Sequence, residues 1–121
     1  MTRAEAVRHV RARLKPFALE RDPVAALVAI TDEQASDWER VQAAVLLALQ
    51  GRREAIPLLL LVLAERSFAD TARSDAGLLA ALALSLLEGP AAAAAVAATT
   101  RPFASATAVD RDALSALTAL P

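Results

Sequence analysis

The sequence contains no cysteine, no tyrosine and only one histidine, His9. Without cysteine it can form no disulfide, thiolate metal ligand or cysteine nucleophile, and a single imidazole cannot form a histidine cluster for zinc. The residue order also lacks a Gly-rich phosphate loop, a Gly-x-Ser-x-Gly elbow and a Ser-x-x-Lys pair. These absences predict a protein that is not an enzyme, binds no metal or cofactor, and has no evident small-molecule substrate.

Strong charge of one sign and long apolar runs are missing too. Fourteen acidic and thirteen basic side chains give a net charge of −1, which argues against a chain that coats nucleic acid along its whole length. The apolar runs 55–64 and 76–84 are shorter than the roughly 18 residues of a membrane span, and Glu88-Gly89-Pro90 interrupts the longer stretch 78–98. The N-terminus lacks the apolar core of a signal peptide. We therefore expect a cytoplasmic protein that does not enter a membrane, and twelve arginines to one lysine suggest a bacterial source.

Alanine and leucine dominate what is present, with 32 and 20 copies in 121 residues. Both residues favour helices, and the alternation typical of strands is absent, so the sequence predicts one all-α domain over residues 1–121. Ser, Thr, Asp, Gly and Pro at the predicted ends divide the chain into helices joined by short turns. The seven predicted helices lie at 2–15, 23–30, 36–51, 53–66, 74–89, 90–98 and 110–120, and their N-terminal caps are Thr2 with Glu5, Asp22 before Pro23, Ser36 with Glu39, Ser74-Asp75 and Asp110.

Two of these segments repeat with a spacing of 38 residues. The cap, the core positions and the terminal glycine recur together, which indicates two copies of one helix-pair unit. The first set is Ser36, Asp37, Ala43, Leu46, Leu49 and Gly51, and the second is Ser74, Asp75, Ala81, Leu84, Leu87 and Gly89.

The first copy resembles the HEAT repeat family in Val41, the pair Ala43-Ala44, Leu49, Gly51 and the run Ala55-Ile56-Pro57. The resemblance covers residues 36–66 and extends in part to 74–98, where no Ile-Pro follows the glycine. It implies a right-handed α-solenoid of about three antiparallel helix pairs: an irregular pair at 2–30, repeats at 36–66 and 74–98, and a C-terminal helix at 110–120. It also implies a non-enzymatic platform for proteins or, in some members, nucleic acid. The family motif fixes packing, so it assigns no functional residue.

The helix that starts near Arg53 has no polar side chain from Ala55 to Ala64. Ile56, Leu59, Leu60 and Leu63 form one stripe, which we expect to face the core. Leu58, Leu61 and Val62 form a second stripe, which a two-layer solenoid would leave facing water. Three coverings are open: the N-terminal helices, a second copy of the chain, or a different protein.

Two other features offer similar alternatives. The alanine run 91–98 either packs closely inside the domain or forms a seam between two copies. Trp38, the only tryptophan, either packs on the preceding turn or contributes to a protein interface, where tryptophan is enriched. His9 has no second ligand nearby in the sequence and is expected at the surface or at its boundary.

The first predicted helix is basic, with a local charge of +4 over residues 1–15. Arg8, Arg11 and Lys15 share one face and could contact phosphates, whereas Val7, Val10 and Leu14 form an apolar stripe on another face. No aromatic residues are interleaved to stack bases. The alternative is a solvated face that pairs with the acidic remainder of the chain or with a neighbouring subunit.

The sequence therefore predicts a protein-interaction or assembly module that self-associates through Leu58, Leu61 and Val62, with Trp38 as a further contact residue. A nucleic-acid-binding repeat that uses Arg8, Arg11 and Lys15 is the alternative. A third interpretation places an apolar ligand between helices, in a pocket lined by Leu47, Leu63 and Leu82.

Overall fold

The computed structural model describes residues 1–18, 22–64, 76–98, 103 and 105–120. These residues form helices and no β-strand, which confirms the all-α prediction. The α-helices are α1 (Arg3–Leu14), α2 (Pro23–Thr31), α3 (Asp37–Leu49), α4 (Ile56–Ala64), α5 (Ala76–Glu88), α6 (Ala93–Ala97) and α7 (Ala108–Thr118), with 3-10 turns at Lys15–Phe17, Arg53–Ala55 and Gly89–Ala92. Because α5, the turn Gly89–Ala92 and α6 follow one another without a loop, we count them as one helical segment. On that count the described residues form six separate helices, where seven were predicted.

Local side-chain chemistry starts the first three helices where the sequence predicts. Thr2 and Glu5 form the reciprocal capping box of α1. Asp22 accepts a hydrogen bond from the backbone N–H of Ala25 at 2.9 Å, directly before Pro23. Ser36 accepts one from the backbone N–H of Glu39 at 3.1 Å and starts α3. The predicted cap at Ser74-Asp75 lies outside the described residues.

The start of the last helix differs from the prediction. Thr107 is the N-cap of α7 and accepts a hydrogen bond from the backbone N–H of Asp110 at 3.1 Å. The Asp110 carboxylate accepts one in return from the backbone N–H of Thr107 at 3.0 Å. The prediction that Asp110 is the cap is therefore wrong, because Thr107 and Asp110 have the spacing of a capping box in which Asp110 supplies the third helical position.

The helices α3 and α5 end in the same way. Each is followed within two residues by a glycine with positive φ, 73° at Gly51 and 58° at Gly89. Positive φ is costly for residues with a Cβ, so a glycine adopts this backbone conformation with little strain. Gly51 precedes the 3-10 turn Arg53–Ala55 and α4, and Gly89 is the first residue of the turn Gly89–Ala92, which leads into α6.

Helix α5 lies at the centre of the core. All ten residues from Ala76 to Ser85 are buried, and α5 packs against α1, α3, α4 and α7. By length and composition Ala76–Ala97 could cross a membrane, although 44% of its most apolar window is buried inside the protein. A core helix meets the same criteria, so this is weak evidence for a membrane span.

The N-terminal helices have different neighbours from those predicted. The first helix packs mainly against α7 and α5, and α2 packs mainly against α3. The apolar stripe of α1 is the reason, because Val10 and Leu14 are fully buried in the core shared with α5. The predicted pairing of the two helices within residues 2–30 is therefore not their main contact, and the first and last helices of the chain lie side by side.

Candidate functional site

Helix α4 combines a buried and an exposed apolar face. Its buried residues are Leu58, Leu59, Val62 and Leu63. On the opposite side Leu60 is 42% and Leu61 39% exposed, and Pro57 and Ala64 are exposed as well. We call these four residues, Pro57, Leu60, Leu61 and Ala64, the exposed α4 face.

This arrangement corrects the two stripes predicted for the segment. Leu58 and Val62 were expected to face water and are buried, at 6% and 0% exposure, whereas Leu60 was expected in the core. Of the three residues predicted to face water, only Leu61 is exposed. The buried residues, together with Ala55, have the spacing i, i+3, i+4, i+7 and i+8, which suits a helix face as well as the predicted stripe does. A helix that is apolar on every side gives no signal for its rotation, and the packing of α4 against α3 and α5 decides it.

Helix α4 packs against another uncharged helix. Helix α6 packs against α4, and Ala94 and Ala97 of α6 and Ala91 of the preceding turn are exposed. Neither 55–64 nor 89–98 contains an ionisable side chain. Both features singled out in the sequence, the over-apolar helix and the alanine run, thus belong to neighbouring helices.

A polar contact joins the first and last helices. The carboxylate of Asp110, which is fully buried, lies 2.7 Å from Nε2 of His9 and 3.6 Å from Nε of Arg13. The side chains of His9 and Arg13 are 26% and 28% exposed, so they cover the carboxylate from the solvent side. His9 is therefore a boundary residue, as predicted, but it has a partner 101 residues away that no local pattern indicates.

The surroundings of Asp110 favour its charged form. Burial raises the pKa of the carboxyl, but the backbone N–H of Thr107, the His9 ring and the Arg13 charge together hold the pKa below its ordinary value. The ion pair and the capping box use both carboxylate oxygens. Among the described residues no group of three or more His, Cys, Asp or Glu side chains could hold a metal ion. The geometry is that of a contact between α1 and α7.

The predicted phosphate-binding residues are only partly free. Arg8, Arg11 and Lys15 are exposed, but Arg11 donates a hydrogen bond at 3.1 Å to the carbonyl oxygen of Leu49, the last residue of α3. Arg3 donates in the same way to Ala119 at the end of α7, at 3.3 Å. Carbonyls at helix ends carry partial negative charge and lack helical partners, so they attract cations. Part of the basic charge of α1 is thus used within the chain, while its use on nucleic acid stays a prediction.

Trp38 packs on the turn that follows α1. Its ring and that of Phe17 lie edge to face, with centroids 6.2 Å apart and an interplanar angle of 86°. The Arg13 guanidinium lies 5.7 Å from the centroid of the Phe17 ring. Trp38 is half-buried, so one part of it supports α3 against the N-terminal turn and another part reaches solvent. Its role in partner binding stays a prediction.

The core contains the three leucines predicted to line a ligand pocket. Leu47 and Leu82 are fully buried and Leu63 is 4% exposed. The one polar side chain in the buried run of α5 is Ser85, whose Oγ is buried and has no hydrogen-bond partner among the described residues. Nothing in its sequence context indicates this, because a serine among leucines and alanines suits an exposed helix position equally well.

Comparison of the chain with protein-family models, with curated proteins and with solved structures gives no match in any of the three. The likeness to HEAT repeats therefore depends on the residue pattern alone, and the functional interpretation depends on the surfaces described above.

Proposed function

We propose that this chain is a non-enzymatic protein-interaction or assembly module, built from HEAT-like helix pairs, that associates with a second copy of itself through the exposed α4 face. The proposal depends on one observation: Leu60 and Leu61, two adjacent large apolar side chains, are about 40% exposed on a helix without a single charge.

The surroundings of the exposed α4 face favour a protein partner. Single exposed leucines are ordinary on protein surfaces, but here two of them share a helix face with the exposed Pro57 and Ala64, on a helix that packs against the uncharged α6. Apolar surface on the order of a few hundred Å2 is the size at which interaction sites begin to be recognised. Because no ionisable group lies within this surface, it does not select a charged partner such as nucleic acid.

The HEAT-like arrangement is supported by the two matching halves of the chain. Helices α3 and α5 end at glycines with positive φ and lead through 3-10 turns into α4 and α6. In a repeat protein, corresponding second helices of successive units are neighbours, and α4 and α6 do pack against each other. The contact between α1 and α7 then closes the short array, with α5 at its centre.

The expected affinity is low. The exposed α4 face has four residues, whereas a standard protein interface has roughly 20 to 30 residues on each side. We therefore expect a dimer that forms and dissociates in the micromolar range and that depends mostly on Leu60 and Leu61.

Sedimentation equilibrium or light scattering, measured from low to high micromolar concentration, tests the proposal. We expect the apparent mass of the wild type to rise with concentration toward that of a dimer. The variant Leu60→Glu/Leu61→Glu should remain monomeric, because it places two carboxylates where apolar surface would be buried. Circular dichroism establishes whether the variant keeps its helices, and Leu60→Ala/Leu61→Ala replaces it if it does not.

The matched control is Val24→Glu/Val28→Glu on α2. These valines are also exposed, at 68% and 59%, and lie on one face of an apolar helix. We expect this control variant to self-associate as the wild type does. A wild type that stays monomeric at high micromolar concentration, or equal loss of association in both double variants, contradicts the proposal.

A further inference from the structure

We draw no further inference here: the strongest candidate, the buried Asp110 carboxylate with His9 and Arg13 between α1 and α7, belongs to the helix contact already described and lies in no group of three metal-ligating side chains among the described residues.

Discussion

Helices α4 and α5 are both leucine-rich and apolar but have different surroundings. Both are uncharged over at least nine consecutive residues, and both are rich in leucine. Every residue of α5 from Ala76 to Ser85 is buried, whereas α4 leaves Leu60 and Leu61 exposed. Four helices pack around α5, and the N-terminal and C-terminal helices are two of them. An apolar helix is thus a core helix or a contact surface according to what the rest of the chain places around it.

The largest effect we expect comes from shortening the same residue type in the two helices. Leu82→Ala in α5 removes a fully buried side chain and should lower the free energy of unfolding by about 2 to 5 kcal/mol. Leu61→Ala in α4 removes a side chain that is 39% exposed and should cost about 1 kcal/mol or less. Urea titrations followed by circular dichroism measure both values. Equal losses would contradict the difference in burial.

The next effect concerns the contact that covers α5. Asp110→Asn removes the charge that His9 and Arg13 share and should lower the free energy of unfolding at neutral pH by about 2 kcal/mol, since a hydrogen-bonded buried charge is lost. Asp112→Asn is the matched control, because Asp112 is exposed on the same helix and should change stability by less than about 0.5 kcal/mol. If both substitutions have the same small effect, the polar contact does not hold α1 to α7.

The stability that the Asp110 carboxylate contributes depends on pH, and the sign of this dependence follows from its pKa. The pKa of Asp110 in the folded protein lies below its ordinary value of 3.8. Its stabilising contribution is therefore fully present above that value and is lost as the pH falls through the folded pKa. We expect the stability difference between the wild type and Asp110→Asn to shrink as the pH falls below about 5. A difference that grows as the pH falls below about 5 would contradict a lowered pKa of Asp110.

Local features of this fold follow from the sequence, and the long-range ones do not. Caps such as Thr2 with Glu5 and glycines such as Gly51 act within a few residues of their position, so their spacing predicts them. The rotation of α4 could not be predicted, because a helix that is apolar all round buries either stripe equally well. The contact between His9 and Asp110 joins residues 101 apart, and neither residue type by itself indicates the other.

In the candidate site too, the sequence predicts the local feature but not the long-range packing. The sequence identified the segment 55–64 as unusual, and Leu61 was placed on its open side. Leu58 and Val62 are predicted on that open side too, and wrongly, because the prediction assumes a two-layer array in which Ile56 and Leu60 face the core. The packing of α4 against both α3 and α5 rotates the buried side toward Leu58 and Val62. Residue types thus located the surface, and tertiary packing selected the side chains that form it.

The smallest effect tests the one polar exception inside α5. Ser85 is buried with an Oγ that has no hydrogen-bond partner among the described residues, and 38 residues earlier Leu47 occupies the matching, fully buried position of α3. Burying an unpaired hydroxyl costs free energy, so Ser85→Ala should raise the free energy of unfolding by about 1 kcal/mol. Alanine also favours helices more than serine does, by up to about 0.5 kcal/mol, and Ser115→Ala on the exposed side of α7 measures that contribution alone. A gain at Ser85 larger than that at Ser115 supports an unpaired hydroxyl in an otherwise apolar core. A loss of stability at Ser85 would mean that its hydroxyl is bonded in solution, and α5 would then be less uniformly apolar than its burial indicates.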